Sequence, residues 1–263
     1  MIGSDFLAGI RALIIDMDGV LWRADQPIGD LPLIFKELQA RPWRFLLATN
    51  NSTRTIDQYL EKLQSFGVSL EPWQVITSAQ ATAHFMKERY PNGGPVYIMG
   101  EAGLFQGLDE FGFYHGTEAP LAVVVGMDRQ CTYDKLAKAA LLIRSGLPWI
   151  ATNPDRTFPT PYGLTPGTGA ILAALEAATD ATPTVIGKPS PEMFRVALQR
   201  LETAPDATLV VGDRPETDIA GAQALGCHTA LLLSGVTSEA KARQWKPAPD
   251  WIAPDLAALL EMS

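Results

Sequence analysis

Ala12-Leu-Ile-Ile-Asp16-Met-Asp18-Gly19-Val-Leu21 decides how the rest of the chain is read. Four apolar residues in a row carry no amphipathic period. They suit a short strand buried on both faces, as strands of parallel sheets are. The run stops at Asp16, and Gly19 marks a turn. Two carboxylates this close repel each other unless a cation or a shared proton relieves them. A divalent metal is the simplest relief; a turn carrying two solvated acids is the plainer alternative.

The same grammar repeats outward from this stretch. An apolar strand over Trp43–Ala48 ends in Thr49-Asn50-Asn51-Ser52. Between the two strands, Leu33, Ile34 and Leu38 form one helical face. Ile56, Tyr59, Leu60, Leu63 and Phe66 predict a helix over 55–66, opened by a Thr55/Gln58 capping box and stopped by Gly67. Further strands fall at 96–99, 121–125, 149–151, 208–211 and 229–233. Helices are expected near 102–111, 133–145, 168–178, 191–201 and 216–225. The 191–201 helix has a cap residue, a first-turn proline and an early acid in Ser190-Pro191-Glu192. A loop over 153–167 holds four prolines. Pro91–Pro95 and Thr179–Thr184 are the candidate hinges.

Alternating strands and helices predict an α/β fold with largely parallel sheets. A length of 263 residues suggests about two domains. Ligands of such folds bind at the carboxyl ends of strands. Those ends carry Asp16/Asp18, Thr49–Ser52, Thr152-Asn153-Pro154-Asp155 and Gly212-Asp213-Arg214, with Gly187-Lys188-Pro189 after another apolar run.

Composition excludes several classes. The net charge is −8, with no basic run, against a nucleic-acid polymer or an anionic membrane as partner. No apolar stretch approaches a membrane span, and the first residues lack a leader pattern, so the cytoplasm is the expected location. Cys131 and Cys227 read as structural thiols. His84, His115 and His228 share no metal or triad spacing. Lys188 is not a Walker lysine, since Thr182 and Pro189 stand where Gly and Ser/Thr are needed. Gly167-Thr-Gly169 begins like a dinucleotide fingerprint, but Leu172 replaces the third glycine and no strand leads in.

Each remaining piece has two readings. Asp213 and Asp218 can ligate Mg²⁺, which takes oxygen ligands, or can cap the following helix. Thr49–Ser52 is a cradle for an anion or a plain capping segment. Lys188 alone reads as a solvated charge. Jointly they fit phosphoryl transfer to an aspartate. A cation and a lysine offset the repulsion between phosphate and carboxylate, donors hold the phosphoryl oxygens, and a second acid moves the proton.

The four stretches Asp16–Leu21, Thr49–Ser52, Gly187-Lys-Pro-Ser-Pro191 and Gly212-Asp-Arg-Pro-Glu-Thr-Asp-Ile219 resemble the haloacid dehalogenase superfamily. The likeness is to its subfamily IIA phosphatases, the NagD and 4-nitrophenylphosphatase-like group. Val125–Arg129, Thr152–Thr160 and Pro166–Ala170 resemble that group's cap. The resemblance covers nearly the whole chain. It implies a Rossmann-like parallel-sheet core over residues 1–80 and 185–263, with an inserted α/β cap of the C2 (IIA) type over 81–184. It implies Asp16 as the nucleophile and Asp18 as the general acid/base, its backbone carbonyl on Mg²⁺. Thr49, Asn50, Asn51 and Lys188 would bind the phosphoryl group, and Asp213 and Asp218 would complete the metal site with Asp16. In the cap, Asp128, Arg129, Asn153, Asp155 and Arg156 would face a small phosphorylated metabolite. The cap would also carry any homodimer contact.

The activity so implied is a Mg²⁺-dependent phosphomonoesterase. A phosphomutase shares its first step. A phospho-aspartate signalling module shares the strand-end Asp, hydroxyl and lysine, but is about half as long and needs no acid two residues on.

Overall fold

The computed structural model describes residues 9–160 and 162–261. Residues 1–8, on which the expected lack of a leader rests, and Pro161 of the proline-rich loop lie outside the described residues. The chain forms two compact units. One holds the residues up to Thr49, Tyr59–Ile76 and the chain from Lys188 on; the other holds Asn50–Gln58 and Thr77–Gly187.

The first unit is built on a six-stranded sheet. Its order is Trp251–Ala253, His228–Leu232, Thr208–Gly212, Ala12–Asp16, Arg44–Thr49, Val75–Thr77. The first five strands pair in parallel. Every residue of the two central strands, 12–16 and 208–212, is buried, as their unbroken apolar sequence requires. The register aligns the strand ends. Ile15 stands opposite both Leu47 and Val211, and Asp16 opposite Ala48. Asp16, Thr49 and Asp213 therefore emerge together at the carboxyl edge.

Helices cover this sheet through single apolar faces. Leu31–Ala40 is capped by Asp30, whose side chain accepts from Leu33 N–H. Its buried face is Leu31, Ile34, Phe35 and Leu38; Leu33, expected on that face, is exposed. The Thr55/Gln58 capping box forms in both directions. Ser190 accepts from Glu192 N–H ahead of the Pro191–Leu201 helix. The helix expected over 216–225 is instead a π turn, Pro215–Ile219, followed by the short helix Ala220–Gln223.

The second unit carries a five-stranded parallel sheet, ordered Thr184–Val185, Trp149–Ala151, Val123–Val125, Gly94–Met99, Phe113–His115. Tyr97, Met99, Val125 and Trp149 pack against Ala139 and Ile143 of helix Tyr133–Arg144 and Leu172 and Leu175 of helix Thr168–Thr179. The proline-rich stretch is not a plain loop. Thr157–Thr160 and Gly163–Pro166 form an antiparallel hairpin. Among the described residues each strand has one partner, so a proline leaves no ladder bond broken on a second side. A strand does therefore lead into Gly167, against expectation, but it belongs to a hairpin and not to a parallel βαβ unit. Both candidate hinges, 91–95 and 179–184, lie inside this unit. No helix among the described residues is long and apolar enough to cross a membrane.

Candidate active site

Three carboxylates meet at the carboxyl edge of the first unit's sheet. Asp16, Asp213 and Asp218 are all buried and each brings an oxygen within 4.8 Å of the others. Asp16 and Asp213 arrive on adjacent strands. Asp218 arrives through the π turn: its N–H donates to Arg214 O at 2.9 Å and its Oδ2 accepts from Arg214 N–H at 3.1 Å. Single π turns of this kind cluster at functional sites. The capping alternative is not met as such: one Asp218 oxygen takes the Arg214 N–H, but neither the turn nor the short helix after it has a capping side chain.

Lys188 is not a surface charge. It is 3 % exposed, and its ammonium donates to Asp16 Oδ1 at 2.5 Å, Asp218 Oδ1 at 2.7 Å and Ala48 O at 3.2 Å. Burial pulls its pKa down, but the Asp16 and Asp218 carboxylates outweigh that and hold it firmly charged. Burial pushes the Asp16 carboxyl well up. Lys188 pulls it back, and the Asp218 and Asp213 charges push it up again. Burial and the Asp218 charge raise Asp213 to about 6, against the pull of the Val236 N–H.

Asp213 is clamped from a segment that carries no motif of its own. Its Oδ2 accepts from Val236 N–H at 2.8 Å. A Cβ at Gly19 or Gly235 would collide with the same carboxylate, and Gly19 has φ +90°, a conformation that favours glycine. Ser234 Oγ donates to Gly19 O at 2.8 Å, and Arg23 Nε to Ser234 O at 2.7 Å. The only hint in sequence is a Ser-Gly pair after an apolar strand. The other oxygen, Asp213 Oδ1, is buried and has no hydrogen-bond partner among the described residues. A buried acceptor left unmet costs free energy unless a cation meets it. Three hard carboxylates with one such orphan oxygen fit a hard divalent ion such as Mg²⁺ or Ca²⁺.

Asp18 stands apart from that cluster. Its side chain is exposed, and Oδ1 accepts from the Trp22 indole N–H at 2.8 Å. Of the two acids in the 12–21 stretch, one is thus buried and the other faces solvent.

Thr49 is buried at its strand end. The segment after it does not open a helix, since the next one starts at Ile56. Within the second unit, Asn50 Nδ2 donates to Asp155 Oδ2 at 3.3 Å, and Asn50 O accepts from Ser78 Oγ at 2.5 Å and Asn153 Nδ2 at 2.8 Å. Asn51 Oδ1 accepts from both Thr53 N–H and its hydroxyl. The other residues singled out in this unit are also engaged. Asp128 accepts from Lys135 Nζ at 2.6 Å and Gln130 N–H at 2.8 Å, and Arg129 forks onto Glu101. Asn153 Oδ1 accepts from Asp155 N–H. Arg156 is exposed; its backbone O accepts from Gly167 N–H at 3.0 Å, and its side chain makes no hydrogen bond or ion pair among the described residues.

Residues 13–114 match the family described as haloacid dehalogenase-like hydrolase, and residues 185–259 a second family described as HAD-hydrolase-like. The chain is 35% identical over 248 residues to a dihydroxyacetone phosphatase of Corynebacterium glutamicum, covering 94% of this chain and 90% of that one. Among solved structures it is similar to a p-nitrophenyl phosphatase from Archaeoglobus fulgidus. The TM-score is 0.91 at 34% identity, over 97% of this chain and 99% of the other. It is also similar to a glycerol phosphate phosphatase from Mycobacterium tuberculosis in complex with calcium. There the TM-score is 0.88 at 36% identity, over 97% of this chain and 76% of the other.

Proposed function

This chain belongs to the haloacid dehalogenase-like hydrolases, in the group that holds NagD and the 4-nitrophenylphosphatases, and is a hydrolase of phosphomonoesters; from that premise we propose that it works through an aspartyl-phosphate on Asp16 with Mg²⁺ as cofactor. The observation that carries this reading is the buried Lys188 ammonium held between Asp16 and Asp218, beside the orphan oxygen of Asp213.

Asp16 is the nucleophile. Its Oδ attacks phosphorus, the bond to the leaving oxygen breaks, and Asp18 gives that oxygen its proton. Asp18 then takes a proton from water as water attacks phosphorus and frees Asp16. Lys188 keeps its charge next to the attacking carboxylate, so it lowers the repulsion between that group and the phosphoryl dianion. Thr49, the last residue of its strand, would offer a hydroxyl to the phosphoryl oxygens; Asn50 and Asn51 would add backbone N–H groups, the Asn50 Nδ2 being engaged with Asp155. Asp16, Asp213, Asp218 and the Asp18 carbonyl would hold the metal. Bound there, Mg²⁺ supplies positive charge against both the carboxylate and the phosphoryl oxygens. The calcium in a relative's structure supports a divalent site of this kind. Of the residues singled out in the second unit, Arg156 is the one kept as a substrate contact.

The relatives' names support a small phosphomonoester as substrate, three-carbon phosphates among them. The test is turnover of glycerol phosphate, dihydroxyacetone phosphate, phosphoglycolate, a sugar phosphate, a nucleoside monophosphate and p-nitrophenyl phosphate, with Mg²⁺ and with chelator. Activity should require Mg²⁺ and vanish in Asp16→Asn while the variant stays folded. Near-normal turnover in Asp16→Asn would sink the mechanism.

A further inference from the structure

The Trp22 indole takes no part in the steps above, yet it is 1 % exposed and its N–H points at a reacting group. Nε1 donates to Asp18 Oδ1 at 2.8 Å. The turn that joins them is closed by Gly19 N–H donating to Trp22 O at 2.8 Å. The ring is fixed on two sides. Phe66 lies tilted against it with centroids 6.0 Å apart, and the Lys62 ammonium sits 4.5 Å over its face. Lys62 is itself tied to Ala24 O at 2.6 Å. A cation on the ring face is held by the ring's quadrupole and draws electron density from the indole, which strengthens the N–H as a donor.

An exposed carboxylate on a turn explores several rotamers, and each must be given up before it can act in one place. We propose that Trp22 is a positioning residue that fixes the Asp18 carboxylate for proton transfer, with Lys62 bracing the ring. Oδ1 is the tethered oxygen, and Oδ2, without a partner among the described residues, is the one that exchanges the proton. This rests on the acid/base role proposed for Asp18.

The test uses the full chain with Mg²⁺ and compares two leaving groups. p-Nitrophenolate departs with little help, whereas the alkoxide of glycerol phosphate needs a proton as it leaves. Trp22→Phe keeps an aromatic ring and loses the N–H. Its kcat/KM on glycerol phosphate, which reports the steps up to formation of the aspartyl-phosphate, should fall about tenfold, the order of one hydrogen bond, with a clearly smaller fall on p-nitrophenyl phosphate. If the Phe variant misfolds, benzothienylalanine at position 22 keeps the bicyclic shape without the N–H and should give the same split. In the metal-free protein, the Trp22 indole N–H resonance should move when Asp18→Ala removes its acceptor. An equal loss of kcat/KM on both substrates, or an indole resonance indifferent to Asp18→Ala, overturns the proposal. So does wild-type behaviour of Trp22→Phe alongside an inactive Asp18→Asn, which leaves the acid/base reading standing. Full turnover by Asp18→Asn overturns both.

Discussion

Lys188 places its ammonium 2.5 Å from Asp16 Oδ1, and both groups are buried at the end of the same parallel sheet. The residue proposed to attack phosphorus and the residue proposed to receive the phosphoryl charge are thus partners. The same ammonium reaches Asp218 at 2.7 Å. One cation serves two of three clustered carboxylates, which makes it structural as well as chemical.

Replacing it should show both roles. Lys188→Met leaves Asp16 and Asp218 buried without their cation. Removing one partner of a buried pair typically costs about 3–5 kcal/mol. The loss should be largest near pH 8 and smaller near pH 5, because the Asp16 carboxyl, pushed up by burial, can then take up a proton and lose its repulsion with Asp218. Urea unfolding at the two pH values measures it, and turnover should be lost at both. A loss that does not depend on pH would contradict the assigned charges.

The acids set a pH window for the metal. Asp213 is raised from its ordinary value of 3.8 to about 6 in the folded chain, mainly by burial. A raised folded value contributes stability below the unfolded value and loses it as pH rises through the folded one. The metal-free protein should therefore lose this contribution between about pH 4 and pH 6. Mg²⁺ needs the ionised form, so its stabilising effect should have the opposite trend. Thermal unfolding with and without Mg²⁺ should show a larger upward shift at pH 7.5 than at pH 5. An equal shift at both would mean that the ion binds elsewhere.

Asp213→Asn separates stability from function. It removes a buried like charge while keeping an oxygen able to accept from Val236 N–H. At pH 8 the metal-free variant should be more stable than the parent by up to about 3 kcal/mol, the worth of roughly two units of pKa displacement. Its thermal response to Mg²⁺ and its turnover should nevertheless collapse. Such opposed signs are common where a site is built from groups that repel each other. A variant destabilised without metal would show that the Asp213 charge is already compensated within the protein.

The parts of this site that can be read from the sequence are those where an apolar strand stops at a charged residue. Asp16 after Ala12–Ile15 and Asp213 after Thr208–Gly212 are of this kind, because a fully buried strand is conspicuous and its end has one place to go. Lys188 is ambiguous in sequence, since nothing in Gly-Lys-Pro distinguishes a buried lysine from a solvated one until Asp16 and Asp218 are beside it. The Val236 N–H is out of reach because a backbone donor has no residue identity. Elements escape for similar reasons. Helix Ser78–Arg89 buries Ala79, Ala81, Ala83 and Met86, and alanines this small give no periodic signal. In helix Leu31–Ala40, Leu33 and Phe35 point to opposite sides, both are apolar, and packing buries Phe35, whose ring lies tilted against Phe45 with centroids 5.8 Å apart. The hairpin over 157–166 is hidden by its prolines, which count against strands unless a strand is known to have one neighbour.

The loop after His228–Leu232 gives the sharpest local test. Gly235 lies so close to the Asp213 carboxylate that a methyl group there would overlap it. Gly235→Ala must therefore push the carboxylate, the 233–237 loop, or both out of place. The neighbouring tethers, Arg23 to Ser234 O and Ser234 to Gly19 O, resist the loop's movement. The carboxylate should then move, and with it the oxygen offered to the metal. The expected result is at least a tenfold rise in the Mg²⁺ concentration needed for half-maximal activity, with a stability loss of about 1–3 kcal/mol. Ser234→Ala frees the loop by removing one tether. Added to Gly235→Ala, it should restore part of the Mg²⁺ affinity even though it lowers stability further. Mg²⁺ titrations of turnover and urea unfolding on the three variants decide the point. If the double variant binds Mg²⁺ no better than Gly235→Ala alone, the clamp on Asp213 does not run through Ser234.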